Sequence, residues 1–265
     1  MCNVCHVPLA ISAEASCATI ETMRFDIITL FPELFTPFMQ SGINRRAFEA
    51  QADGRKLVDI HFINPRDFAD GNYRRVDDRP FGGGPGMLMM AEPLARSIEA
   101  VQMQRGDKAP VVLFSPTGQA LNHNCVARFA AVDASNQGAV LVCGRYEGID
   151  QRFIDTFITV QISLGDFVLS GGEIAAIALL DAIARLQPSV LRDADSHAQD
   201  SFNPVVGGLL DCPHYTRPEE WRGQTVPPVL LSGNHAQIER WRTEQRKKLT
   251  QTLRPDLLHK PQLGI

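Results

Sequence analysis

Two glycine-bearing loops constrain the fold of this chain more than any other feature. The first, Gly144-Arg145-Tyr146-Glu147-Gly148-Ile149-Asp150, follows the apolar run 139–143. The second runs from Ser163 to Glu173, carries Gly165, Gly171 and Gly172, and follows the apolar run 157–162. Each loop leaves a strand-like run and enters a helix-like one. In an α/β protein this junction, outside the carboxyl ends of the strands, is where ligand sites are built. Glycines there permit positive φ and let the backbone approach a ligand closely. Aromatic, acidic and small side chains stand between them, so the loops predict a flat, polar ligand held by main-chain groups.

The chain around the loops alternates in kind. Residues 25–30, 57–63 and 111–114 read as strands. Residues 35–50 (broken near Gly42), 92–104, 122–131, 151–156 and 173–186 read as helices. Residues 64–90 read mostly as loop and 115–118 as a turn. Strands alternating with helices predict an α/β fold with a parallel sheet covered on both faces. A length of 265 residues admits one large domain or two smaller ones. The polar stretch 191–208 is the candidate flexible linker, dividing a domain at 23–190 from one at 209–265. The latter is turn-rich and then helical over about 235–252, with Ile238, Trp241, Leu249 and Leu253 on an apolar face and Arg242 and Arg246 sharing another side.

Residues 1–22 stand apart, with three of the six cysteines. Cys2-Asn-Val-Cys5-His6 fits the c-type haem attachment pattern, but these residues show no export signal of the kind such attachment requires. A zinc site there has too few clustered ligands. The expectation is a disordered extension, with Met23 as the working start. Cys143 reads as a small buried hydrophobe. No apolar stretch reaches the roughly 18 residues of a membrane span, so no membrane association and a cytoplasmic setting are expected.

Charge is uneven. From Asn203 to Ile265 nine Lys/Arg stand against six Asp/Glu, while the rest of the chain carries 17 against 24. A basic tail on an acidic body suggests that the tail meets a polyanion. The helix face with Arg240, Arg242 and Arg246 is either a solvated face or a set of phosphate contacts.

The phosphate-binding G-x-x-x-x-G-K-[ST], the zinc-binding H-E-x-x-H and the nucleophile elbow G-x-S-x-G are all missing. Nor does a G-x-G-x-x-G follow a strand, so dinucleotide redox chemistry loses its fingerprint. The loop from Asp77 through Arg79 to Gly86 holds four glycines in five residues. It is either a flexible surface loop or a cradle whose backbone N–H groups meet an anion or a base edge. Taken alone, Asp200 reads as a turn or cap residue, and Arg185 as a cation complementing a helix C-terminus.

In order, the stretches 25–32, 76–90, Ser115-Pro116, 144–150, 165–173, Asp200-Ser201-Phe202, 208–218 and 227–235 closely resemble the bacterial tRNA (guanosine-37-N1)-methyltransferase family, TrmD. The resemblance runs from Met23 to about Lys260. It implies a trefoil-knotted α/β domain, a homodimer, S-adenosylmethionine as methyl donor, tRNA as partner and a magnesium requirement. Ser115, Pro116, Gly144, Tyr146, Glu147, the run Leu164, Gly165, Asp166, Phe167, Val168 and Leu169, and then Gly171 and Gly172 match the family's donor-binding positions. Asp200 matches its proposed general base and Arg185 the residue that would stabilise guanine O6. These two come from a linker that, in the family, orders when tRNA binds, at a site completed across the dimer. Asp77 and Arg79, with Arg217, Arg240, Arg242 and Arg246, become candidate tRNA contacts. Phe81 and Phe167 stand where many relatives carry Tyr. A knotted methyltransferase acting on ribose 2′-OH or rRNA is an alternative, opposed by Asp200-Ser201-Phe202 and the 213–218 segment. A non-catalytic RNA-binding relative is another, opposed by intact Arg185, Asp200 and glycine loops.

Overall fold

A computed structural model of the chain describes residues 22–52, 54–131, 138–191 and 197–258. The expectations for residues 1–21, and for the stretch 192–196 within the expected linker, lie outside the described residues. In chain order the elements are β1 (Met23–Ile28), the short helices α1 (Thr36–Gln40) and α2 (Arg45–Phe48), β2 (Val58–Ile63), and a hairpin of β3 (Asp77–Asp78) and β4 (Leu88–Met89). Then come α3 (Ala91–Arg105), β5 (Val111–Ala120), α4 (His123–Ala130), β6 (Gly138–Val142), α5 (Gln151–Phe157), β7 (Val160–Ser163) and α6 (Glu173–Leu186).

Five strands form one sheet in the order β2-β1-β6-β5-β7. Every neighbouring pair is parallel, as the alternation of strands and helices predicts. Central β6 is buried along its whole length, which its unbroken apolar run anticipates. Successive side chains point to opposite faces. Ala139, Leu141 and Cys143 therefore join Phe25, Ile27 and Val112 in a core with α4 and α6. Val140 and Val142 join Ile28, Leu113, Leu94, Ile98 and Phe153 under α3 and α5.

On this second face β1 also turns inward a charge that the sequence reading passed over. Asp26 is fully buried. Arg105, at the end of α3, donates to its Oδ2 at 2.8 Å, and Arg24 donates to its Oδ1 at 2.7 Å. Arg105 also grips Asp107. The position is a buried one by alternation, and of the two partners that make it tolerable one is local, Arg24, and the other, Arg105, is 79 residues away in sequence.

Two strand boundaries differ from expectation. Phe157 belongs to α5, where it stacks on Phe153 one turn earlier at 5.4 Å between ring centres. β5 runs on to Ala120 instead of ending at residue 114. The expected turn is present inside it: Phe114 and Gln119 both pair with Ile162, so residues 115–118 bulge out of the ladder.

Beyond residue 208, a small hairpin joins β8 (Glu220–Trp221) to β9 (Gln224–Thr225), with Arg222 and Gly223 both at positive φ, the backbone that tight hairpins favour. Two helices follow, α7 (Pro228–Leu231) and α8 (His235–Leu253). The buried positions of α8 are Arg246 and Thr250. Ile238, Trp241 and Leu249 are half-buried and Leu253 is exposed. The expected apolar face is thus turned inward only in part, and the deepest positions lie beside it, where α8 packs on polar groups: Leu210 N donates to Thr250 Oγ1 at 3.0 Å, and Asp211 accepts from Arg246.

Candidate active site

The carboxyl ends of β5, β6 and β7 open onto a cleft of about 330 Å³. Three segments wall it: the β5 bulge, the loop after β6 and the loop after β7, with the first turn of α6 beneath them. The chain leaves each strand here because the glycine-bearing loops cannot continue a ladder. Ser115, Pro116, Gly144, Tyr146 and Glu147 line the cleft. From the second loop Leu164, Gly165, Phe167, Val168 and Leu169 line it, with Gly171 and Gly172 at its end. Asp166 is the one donor-site candidate that does not.

The glycines serve contact more than φ. Gly144, Gly165, Gly171 and Gly172 are not at positive φ; Tyr146, between them, is, at φ 60°. A Cβ on Gly172 would lie 2.8 Å from Cys143 Cα, and Gly172 N donates to Gly144 O at 3.0 Å. The two loops touch there backbone to backbone.

Tyr146 connects the cleft to the β3–β4 hairpin. Burial pushes its phenol up, and hydrogen bonding to Asp77 acts in the same sense. Asp77 and Tyr146, assigned to different ligands by the resemblance, are thus neighbours. The hairpin is stapled to the loop after β6: Met89 N donates to Gly148 O at 2.8 Å, Glu147 N to Met87 O at 3.0 Å, and Asp150 N to Met89 O at 3.1 Å. The glycine-rich tip beyond it, with Arg79 exposed and Phe81 99% exposed, projects from this anchorage.

Arg145 and Glu173, which match no site position in the sequence, are paired here. Glu173, at the first position of α6, is buried. Its Oε1 accepts from Thr29 Oγ1 at 2.8 Å and from Arg145 Nε at 3.1 Å. Its Oε2 lies 3.0 Å from Arg145 Nη2, yet no donor is aligned on it. A glutamate following two glycines, near an arginine in the partner loop, was the available signal.

Arg185 and Asp200 meet. Arg185 Nε donates to Asp200 Oδ2 at 2.7 Å and Nη2 to Oδ1 at 2.9 Å. The carboxylate beside it raises the guanidinium pKa further. His123, at the start of α4, is held below its ordinary value by burial, with Asp200 pulling the other way. The pair does not line the cleft of its own chain. It sits in the last turn of α6, whereas the cleft lies at the first; twelve residues of rise separate Glu173 from Arg185 by about 18 Å.

The family model for tRNA (guanine-1)-methyltransferase TrmD matches residues 23–260. The chain belongs to the TrmD family. It is 70% identical over 89% of its length, and 92% of the other's, to the tRNA (guanine-N(1)-)-methyltransferase of Albidiferax ferrireducens. It is 67% identical to that of a Polaromonas species over 90% of each chain. To that of Bordetella pertussis it is 51% identical, over 90% of this chain and 91% of the other.

The basic residues past position 208 separate. Arg217 and Arg240 are exposed and Arg242 is half-buried, 3.8 Å from Glu239. Arg246 is turned inward, 3.1 Å from Glu239 Oε1 and 3.4 Å from Asp211 Oδ1. The side shared by Arg242 and Arg246 faces the protein at its lower end, so Arg246 is engaged by the chain's own carboxylates and is not offered to a phosphate. Asp211, Cys212 and His214 bring ligand-type atoms within 4.8 Å of one another. There Asp211 is already bonded to His214 and to the Cys212 amide, and burial pushes the Cys212 thiol up. Among the described residues no helix is long and apolar enough to cross a membrane.

Proposed function

We propose that the chain transfers a methyl group from S-adenosylmethionine to N1 of the guanosine at position 37 of tRNA. The observation that carries this reading is the Arg185–Asp200 pair. It presents donors and acceptors side by side, and the guanine edge presents O6 as acceptor beside N1–H as donor. Guanine can replace each partner for the other: Arg185 toward O6, Asp200 toward N1–H. Neutral N1 has its proton in the way of alkylation, so Asp200 removes it as general base. Arg185 then faces the charge left on O6, as an oxyanion hole does. The pair must open for this, and the arriving base supplies the replacement hydrogen bonds.

The cleft fits the donor. Its walls are backbone-rich, and a Cβ at Gly172 would fill the closest approach of the two loops. When bound, S-adenosylmethionine supplies an electrophilic methyl on sulfonium sulfur. Apolar Leu164 and Leu169 exclude water around it, while Glu147 lines the cleft from the other loop with its exposed carboxylate turned toward Gly86 of the hairpin tip. That carboxylate is the hard oxygen donor a magnesium ion would take.

Methyl transfer requires reacting atoms about 3–3.5 Å apart, and about 18 Å of α6 separates cleft from pair. A homodimer resolves this, with each cleft receiving Arg185 and Asp200 from the partner chain. The basic segment past residue 208, through Arg217, Arg240 and Arg242, holds the tRNA backbone, and the target guanosine leaves its stack to reach the donor. The activity belongs in the cytoplasm.

The test is transfer of label from S-adenosylmethionine to a tRNA transcript with guanosine at position 37, against one with adenosine there. Label on the guanosine transcript alone is expected. Equal labelling of both, or label at ribose, sinks the reading.

A further inference from the structure

Arg145 lines the cleft without matching any of the donor-contact positions carried over from the family, and it touches four separate segments around it. Its Nε and Nη2 reach the buried Glu173 carboxylate at the start of α6. Its Nη1 donates to Ser170 O, in the second glycine loop, at 3.3 Å. Its backbone N donates to Met89 Sδ at 3.3 Å, in the hairpin. The guanidinium lies 4.3 Å over the Phe31 ring, just past β1. Thr29 Oγ1 closes the circuit, donating to Glu173 and accepting from Phe31 N at 3.0 Å. The side chain passes directly beneath Gly171, where a Cβ would stand 2.3 Å from Arg145 Nε and 2.5 Å from Glu173 Oε2.

A buried ion pair by itself adds little net stability over an apolar pair of the same shape. The arginine fork supplies geometry: planar, with several donors at set angles, it holds its acceptors at fixed relative positions. Here those acceptors belong to the second glycine loop and to α6, while the arginine itself belongs to the first.

We propose that Arg145 is the positioning residue of the methyl-donor cleft: its guanidinium sets the spacing of the two glycine loops. This rests on reading that cleft as the S-adenosylmethionine site. Lysine at 145 keeps the charge and loses the fork, so the loops drift and donor contacts weaken. Acceptor tRNA is held elsewhere and is not affected.

The experiment measures S-adenosylmethionine binding by calorimetry, tRNA KM and melting temperature for three proteins: unaltered, Arg145→Lys, and the double variant Arg145→Met with Glu173→Gln. The double variant removes the carboxylate charge that a single change would strand, so it remains foldable. Arg145→Lys is expected to raise the donor Kd by about tenfold or more with tRNA KM unchanged. The double variant is expected to melt like the unaltered protein and still bind donor weakly. Donor affinity restored in the double variant would make Arg145 only a counter-ion and overturn the proposal. So would a tRNA KM that rises in step with the donor Kd. An unaltered protein that binds no S-adenosylmethionine overturns the donor reading itself, a separate result from a variant that binds as well as the parent.

Discussion

Equal amounts of an Asp200→Ala chain and a Gly172→Ala chain, mixed and allowed to exchange subunits, should recover about a quarter of full activity. Each variant alone should be inactive. Asp200→Ala removes the base. Gly172→Ala places a Cβ 2.8 Å from Cys143 Cα, closer than real Cβ contacts come, and the backbone there cannot yield without parting the loops. The magnitude follows from α6. The Gly172 end of this helix belongs to the cleft and the Arg185 end carries the pair, with about 18 Å of helix between them. A chain cannot bring its own pair within the few ångströms that transfer needs. Random exchange makes half the dimers mixed. In each of these one cleft is intact and faces an intact Asp200, while the other site has lost both. The assay is initial-rate transfer of labelled methyl to a guanosine-37 transcript, with melting curves confirming that both variants fold. A mixture as inactive as its components, with exchange verified by differently tagged chains, would refute the shared site. Full activity in either single variant would refute the corresponding assignment.

Asp200→Asn keeps the shape of the Arg185 pair but cannot accept the N1 proton; kcat should fall by about 10²–10⁴-fold with donor Kd unchanged, measured by single-turnover transfer and calorimetry. Arg240→Ala should weaken tRNA binding and reduce its salt dependence by about one ion, whereas Arg246→Ala should leave the salt dependence alone and cost about 1–3 kcal/mol of stability in urea unfolding. Asp26→Asn leaves Arg105 buried, with Asp107 as its remaining carboxylate partner, and should lower stability by about 3 kcal/mol by the same measurement. His123 is held below its ordinary value of 6.5 chiefly by burial, with His197 acting in the same sense and Asp200 against it. Its neutral form is therefore the stable one. Its contribution is complete above pH 6.5 and is lost as pH falls from there toward the depressed value. His123→Gln should flatten the melting-temperature profile across that window.

Much of the sheet was legible in the chain. An unbroken apolar run such as 139–143 has one stable home, a strand buried on both faces, and helices at 91–105 and 173–186 follow from periodic spacing. The glycine loops were legible for the same reason, since punctuation between periodic segments is a local property. Asp26, Glu173 and Arg246 were not. Each is a charged residue buried against a partner 28 to 79 positions away, and one-dimensional patterning does not say which distant residue a charge will meet. The apolar face expected of α8 is only half-buried, because the deepest contacts of that helix, at Arg246 and Thr250, are polar.

The two loops, their glycines and the motifs shared with the TrmD family therefore belong to the sequence by itself, as does the α/β class. Tertiary structure decided what the loops do with their glycines: Gly144 and Gly172 meet each other closely, and Gly148 alone of the five adopts positive φ. It decided that Arg145 spans them, and that Arg185 pairs with Asp200 at the far end of α6 from the cleft. The physical reason is range: strand, helix and turn preferences act over a few residues, whereas contact between loops, buried charges and helix ends depends on which distant segments the packed sheet brings side by side.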